Sequence, residues 1–187
     1  MSDTSTTEIT PIVDYEKSIK RNRLVYKITP EYIFDSILSW IVMGFYITIG
    51  LIPLLFKLTN GNHAPILVMI IALLYLLWMI SNMLLRNTLV KIEGTNVIEN
   101  KQHLLDTMDA YFSNYDFSVN DNKMMRSYMP TGNPIWGRII TILIDENSML
   151  LNVATLGKGN FPTFAHGLWN FLKAKRIAKY FKSNYGR

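Results

Sequence analysis

The chain has 187 residues, no cysteine and a formal net charge of +5, with 49% apolar and 18% charged residues. This length leaves room for one small folded domain at most beside any membrane segment. Without cysteine there is no disulfide framework, thiol nucleophile or Cys-based metal site. The opening stretch is polar, and the first apolar run begins too late and runs too long for a cleavable signal peptide.

Residues 1–32 are predicted to contain a disordered tail and a basic strand beside the membrane. Residues 1–13 are polar and poor in large apolar side chains. Residues 23–29 alternate between two faces, a pattern typical of a strand, and Pro30 ends it. The segment is also rich in cations, which we interpret as an orientation signal and a strand edge, with contact to anionic lipid or nucleic acid as the alternative. These cations are Lys17, Lys20, Arg21, Arg23 and Lys27.

Residues 33–86 are dominated by two apolar stretches, 36–56 and 65–85, each 21 residues long without a charge. As helices they would each be ~31 Å long, which matches the hydrocarbon thickness of a bilayer. They predict a transmembrane helical hairpin, in which small residues such as Gly44 allow the first helix to pack on the second. Positive charge flanks the outer ends, so we expect both termini in the cytoplasm and the protein in a bacterial inner membrane.

Residues 87–187 are predicted to form a soluble cytoplasmic α+β domain. A strand at 89–93 and an amphipathic helix from 97 to 115 come first. Three β segments follow at 117–129, 136–144 and 149–155, with a four-residue loop at 145–148, and a helix over 163–183 ends the chain. The order is therefore β-α-β-β-β-α. The predicted fold class is a membrane α-helical hairpin plus a small α+β domain whose sheet is covered by helices.

Two features are candidate contacts for a partner or an anionic lipid. The final helix has five basic residues and no acid, among them Lys175, Arg176 and Lys179. At a strand start, Trp136 could lie against a neighbour or the bilayer, and Arg138 could bind a carboxylate or phosphate. The plainer alternatives are a solvated helix face and a bulge glycine beside a packed tryptophan.

A resemblance supports the two-span layout. Residues 26–31 (Tyr-Lys-Ile-Thr-Pro-Glu) precede the hairpin, and residues 135–142 (Ile-Trp-Gly-Arg-Ile-Ile-Thr-Ile) are followed by Leu-Asn-Val at 151–153 and by Gly157. In these features the chain resembles small two-span membrane proteins of Bacteroidota. The resemblance implies the membrane layout and assigns no residue a role.

The sequence contains no catalytic constellation, so we predict a protein that is not an enzyme and needs no cofactor or metal. Gly157 and the residues after it lack P-loop spacing, and no nucleic-acid reader motif is present. His103 and His166 could hold a metal only if the fold brought them together with an acid. The main hypothesis is a membrane-anchored interaction domain, an accessory or scaffold subunit of a larger inner-membrane assembly. Its expected partners are the lipid bilayer and another membrane protein, with a homo-oligomer left open. The alternative is a small membrane enzyme or sensor that binds an acidic, lipid-like ligand.

Overall fold

The computed structural model describes residues 12–60, 66–93, 97–112, 115–130, 137–145, 148–157, 162–163 and 165–185. The helices are α1 (Tyr15–Arg21), α2 (Pro30–Asn60), α3 (Ile66–Leu85), α4 (Val97–Tyr111) and α5 (Gly167–Tyr185). The strands are β1 (Val90–Glu93), β2 (Asp116–Asn120), β3 (Met124–Pro130), β4 (Gly137–Asp145) and β5 (Ser148–Leu156). The combination of helices with an antiparallel sheet is confirmed.

The sheet has five strands in the order β1-β5-β4-β3-β2, and every neighbouring pair is antiparallel. The predicted order β-α-β-β-β-α is therefore wrong by one strand. A turn separates β2 from β3, because the Asp121 carboxylate accepts bonds from the backbone N–H groups of Lys123 (2.7 Å) and Met124 (2.5 Å). The β4–β5 loop has two residues rather than four, since Asp145 pairs with Ser148.

The structure also differs from the sequence predictions at Gly137 and in the position of the β-bulge. Gly137 pairs in regular register with Pro130 and Leu156, so it is not a bulge. Its lack of a side chain makes room for a ring, because a Cβ there would lie 2.5 Å from the Cε2 atom of Tyr128. The irregularity in the sheet lies in β2, between Phe117 and Val119.

The two faces of the sheet are covered by different parts of the chain. We call the face covered by α4 and α5 the inner face. Its core residues include Ile140, Ile142, Met108, Ile177 and Phe181. The opposite, outer face is covered by the N-terminal segment, 12–28. Its cluster contains Val13, Leu24, Tyr26, Leu89, Leu143 and Leu150.

The N-terminal segment itself is not the predicted strand. It contains α1, which Asp14 caps by accepting a bond from the Lys17 N–H (3.2 Å), and which ends at Asn22 in the left-handed region. The stretch after it makes isolated bridges only, such as Val13 with Tyr26. The apolar alternation at 23–29 therefore reflects burial of Leu24 and Tyr26 on the outer face. Residues 1–11 of the predicted disordered tail lie outside the described residues.

Helices α2 and α3 lie against each other and are each long and apolar enough to cross a membrane. In their most apolar windows only 11% and 17% of the residues are buried, whereas a core helix of a soluble protein would be mostly buried. Their close approach is at Gly50, where a Cβ would lie 2.8 Å from the Tyr75 ring. The predicted contact at Gly44 is wrong, because a Cβ there would meet nothing within 4 Å among the described residues.

Candidate functional site

A polar contact between α3 and α5 joins the apolar helix pair to the sheet. The first N–H groups of a helix lack partners within the helix. The fully buried Asn82 supplies one, because its Oδ1 accepts a bond from the Leu168 N–H (2.9 Å) while its Nδ2 donates to the Trp78 carbonyl (2.9 Å). At Gly167 a Cβ would collide with the Asn82 carbonyl oxygen. Only glycine therefore lets α5 begin directly on the end of α3.

A second link ties the sheet to the chain leaving α3. The buried Asn152 of β5 donates from its Nδ2 to the carbonyls of Arg86 (3.2 Å) and Thr88 (3.0 Å). The Leu24 N–H also donates to the Asn87 carbonyl (2.8 Å). The end of α3, the sheet and the N-terminal segment are thus held together by hydrogen bonds.

A buried polar row crosses the outer face of the sheet. Arg126 pairs in register with Thr141, and Thr141 pairs with Asn152; all three are at most 3% exposed. Burial raises the pKa of the Tyr26 hydroxyl to about 12, while the charges of Arg126 and Arg86 oppose that rise. Burial also lowers the pKa of Arg126, an effect that Tyr26 partly offsets. Sequence reasoning missed Arg126, although a cation in the middle of an apolar β run was a visible signal.

On the inner face, Arg138 and Lys173 lie together on one aromatic ring. The Phe112 ring centroid is 4.1 Å from the Lys173 Nζ and 5.9 Å from the central guanidinium carbon of Arg138. Burial and the nearby charge of Arg138 lower the pKa of Lys173. Neither cation has an ion pair with a carboxylate among the described residues. The Arg138 Nε is buried and has no hydrogen-bond partner in the described part of the chain. We call these two side chains the Arg138–Lys173 pair, an arrangement that can hold an anion.

Among the described residues, the other predicted contact cations do not lie on the Phe112 ring. Lys175, Arg176 and Lys179 are exposed along α5, and the Lys175 Nζ lies 4.9 Å from the Phe171 ring centroid. Trp136 lies outside the described residues, so its contact stays a prediction. Sequence reasoning missed that α5 also exposes apolar side chains. These are Trp169, Leu172 and Tyr180, of which Trp169 is 62% exposed.

The basic N-terminal residues are exposed side chains of the N-terminal segment. Lys17, Lys20, Arg21, Arg23 and Lys27 all reach solvent. Lys17 forms an ion pair with Asp14 (3.0 Å) and so contributes to the cap of α1. Exposed pairs of this kind stabilise a protein little, so these cations are available to other charges.

The two histidines considered for a metal lie at opposite ends of α5. His103 stacks on Tyr185, with 4.3 Å between the ring centroids, whereas His166 bonds Thr163 just before the helix begins. The possibility of a metal site made by both histidines is therefore wrong. Across the described ranges, no group of three His, Asp or Glu residues could hold a metal ion.

Comparisons of the chain with protein-family models, with curated proteins and with solved structures give no match. Three features of the described residues bear on function: the exposed face of α5, the Arg138–Lys173 pair and the junction at Asn82.

Proposed function

We propose that this chain is a two-span membrane protein whose α+β domain is a non-catalytic docking module held at the inner membrane. Helices α2 and α3 form the transmembrane hairpin, and both termini are cytoplasmic. The domain binds another membrane protein as an accessory or scaffold subunit. The observation that carries this proposal is the exposed face of α5, which begins directly on the end of α3.

The junction supports a docking role because it fixes where that face lies. Asn82 is three residues from the end of α3, and its bond to the Leu168 N–H sets the start of α5. Trp169, the next residue, is largely exposed. Tryptophan is enriched where a helix meets the interface between membrane and water. The exposed face of α5 would therefore start at the membrane surface, where a membrane-protein partner can reach it.

The composition of this face suits a protein contact. Interfaces are enriched in aromatic residues and arginine, and residues of these types carry most hot spots. Trp169, Arg176 and Tyr180 follow one another at spacings of seven and four residues, so they share one side of the helix. Acidic groups on the partner would complement Arg176 and Lys179.

Membrane topology can be tested directly because the chain has no cysteine of its own. A single Lys182→Cys variant should resist a membrane-impermeant maleimide in intact cells and react once the cells are opened. An Asn62→Cys variant should react in intact cells. Labelling of Lys182→Cys in intact cells, or a chain that stays monomeric in water without detergent, would overturn the membrane placement.

Docking can be tested with a photo-crosslinking amino acid at single positions in living cells. The crosslinking amino acid at Trp169 and at Arg176 should each capture the same partner protein, so the two adducts should have the same mass. The matched control is Lys91, an exposed residue on the edge strand β1. An adduct obtained equally from Lys91, or none from the α5 positions, would contradict the docking role.

A second candidate function, a membrane sensor of an acidic ligand, is favoured by the Arg138–Lys173 pair. Two cations lie over one aromatic ring without an ion pair to a described carboxylate. An anion placed between them would relieve their repulsion.

A further inference from the structure

We infer that Arg138 and Lys173 bind a phosphate group, either that of an anionic phospholipid headgroup or that of a small soluble phosphate ester. The inference deepens the sensor candidate and, for the lipid source, rests on the proposed membrane placement. Three elements build this site: β4 supplies Arg138, α5 supplies Lys173, and the end of α4 leads into Phe112.

The electrostatics of the pair favour an anion. Two like charges held on one ring repel each other, and burial disfavours the charged form of Lys173. Within the described ranges no carboxylate compensates either charge. The buried Nε–H of Arg138 remains a free donor among the described residues, and an oxyanion would satisfy it. A bound anion would thus reduce the repulsion between the two cations and supply an acceptor for the buried Nε–H of Arg138.

The donor geometry favours phosphate over a single carboxylate. A guanidinium offers a planar fork of N–H donors, whereas an ammonium acts as a compact point charge with three donors. A phosphate group presents several oxygens around one centre, so one oxygen pair can accept from Arg138 while another faces Lys173. A carboxylate has only two oxygens, so Lys173 would have to share an oxygen that already accepts a bond from the fork of Arg138.

The height of the site supports the lipid source. Lys173 follows Leu168 by five residues, so it lies about 7.5 Å along α5 from the bond to Asn82. The polar layer of one leaflet is about 5–8 Å thick. If α3 ends at the hydrocarbon boundary and α5 leads away from it, Lys173 lies at most about 7.5 Å beyond the bond to Asn82, which is about the depth of the headgroup layer. Trp169 is exposed and lies between Leu168 and Lys173 along α5.

The test uses the full chain in an uncharged detergent, with bound ligand counted by native mass spectrometry. The probes are short-chain phosphatidylglycerol and glycerol phosphate, which has the same phosphate chemistry without acyl tails. Arg138→Gln and Lys173→Gln should each weaken binding of the preferred probe about tenfold or more, the effect of losing one charged hydrogen bond. Lys173→Arg should retain binding.

Lys175→Gln is the matched control, because it removes the same charge from the same helix but lies on a different ring, that of Phe171. It should weaken binding less than about twofold, as expected for an exposed charge. Equal weakening by all three Gln variants would show a general charge effect and overturn the site. If Arg138→Gln and Lys173→Gln unfold at the same temperature as the parent and bind the probe as tightly, the phosphate site is also overturned.

The two probes separate the sources and the dependence on the membrane. Tighter binding of phosphatidylglycerol assigns the site to a lipid headgroup, and equal or tighter binding of glycerol phosphate assigns it to a soluble ester. If the chain proves soluble without detergent, the membrane placement fails while the glycerol phosphate measurement still decides on the phosphate site. If the chain inserts into the membrane but neither probe binds, the phosphate site is wrong and the membrane placement stands.

Discussion

Replacing Gly167 by alanine should destabilise the protein, although the same change inside most helices is stabilising. Alanine is favoured over glycine in a helix by about 1 kcal/mol. At the start of α5, however, a Cβ would collide with the Asn82 carbonyl oxygen and lie 2.8 Å from its carbon and 2.9 Å from the Arg86 nitrogen. All three atoms belong to the backbone, so α5 must move away from α3.

The magnitude follows from what that movement breaks. The bond from the Leu168 N–H to Asn82 Oδ1 is lost, and an unsatisfied buried acceptor costs about 1–3 kcal/mol. Overpacking adds about 1–3 kcal/mol. After subtracting the helix preference of alanine, about 1 kcal/mol, Gly167→Ala should lower the free energy of unfolding by about 1–5 kcal/mol.

Gly44→Ala is the matched control, because a Cβ there meets nothing within 4 Å among the described residues. It should leave stability unchanged or raise it by up to about 1 kcal/mol. Denaturant unfolding of both full-length variants in the same detergent, followed by tryptophan fluorescence, measures the difference. If Gly167→Ala were as stable as Gly44→Ala, α5 would not rest on the end of α3, and the proposed position of its exposed face would be wrong.

Three other substitutions test the remaining contacts. Asn152→Asp should lower the free energy of unfolding by about 3 kcal/mol, because a carboxylate would face two carbonyl oxygens in place of a donor; thermal unfolding at neutral pH measures this, and unchanged stability would contradict the second link. The raised pKa of Tyr26, about 12, means that its contribution to stability is complete below pH 10 and is lost as the pH rises from 10 towards 12. Between pH 10 and pH 12, Tyr26→Phe should therefore lose about 2 kcal/mol less free energy of unfolding than the parent. Identical losses in the variant and the parent would refute the burial of the Tyr26 hydroxyl. Gly137→Ala should lower the free energy of unfolding by about 1 kcal/mol, because its Cβ displaces the half-exposed Tyr128 ring. This loss should vanish when Tyr128 is also replaced by alanine. If the effects of the two substitutions simply add, the contact between Gly137 and Tyr128 is contradicted.

Local pattern was enough to predict much of the secondary structure. The apolar runs of α2, α3, β4 and β5 and the apolar stripe of α5 are each visible in the order of neighbouring residues. Arg138 could be selected as an anion ligand because a cation at a strand start is visible in sequence. The exposure of Lys175, Arg176 and Lys179 follows from the same helical period.

The N-terminal segment shows where local pattern misleads. Leu24 and Tyr26 alternate like strand residues, but they are apolar because they cover the outer face of the sheet. A period of two records which side chains are buried, and it does not distinguish a strand inside the sheet from an extended chain lying on top of it.

Contacts between residues that are far apart in the chain depend on the three-dimensional packing of the elements. Asn82 and Leu168 are 86 positions apart, and Asn152 meets Arg86 across 66. Lys173 enters the proposed phosphate site only because β4 brings Arg138 to the same ring. Such contacts depend on how packed elements are placed in space, whereas periodicity records only which side of an element is apolar. Periodicity therefore predicts most of the elements and their buried sides, whereas the packing of those elements selects the residues that meet.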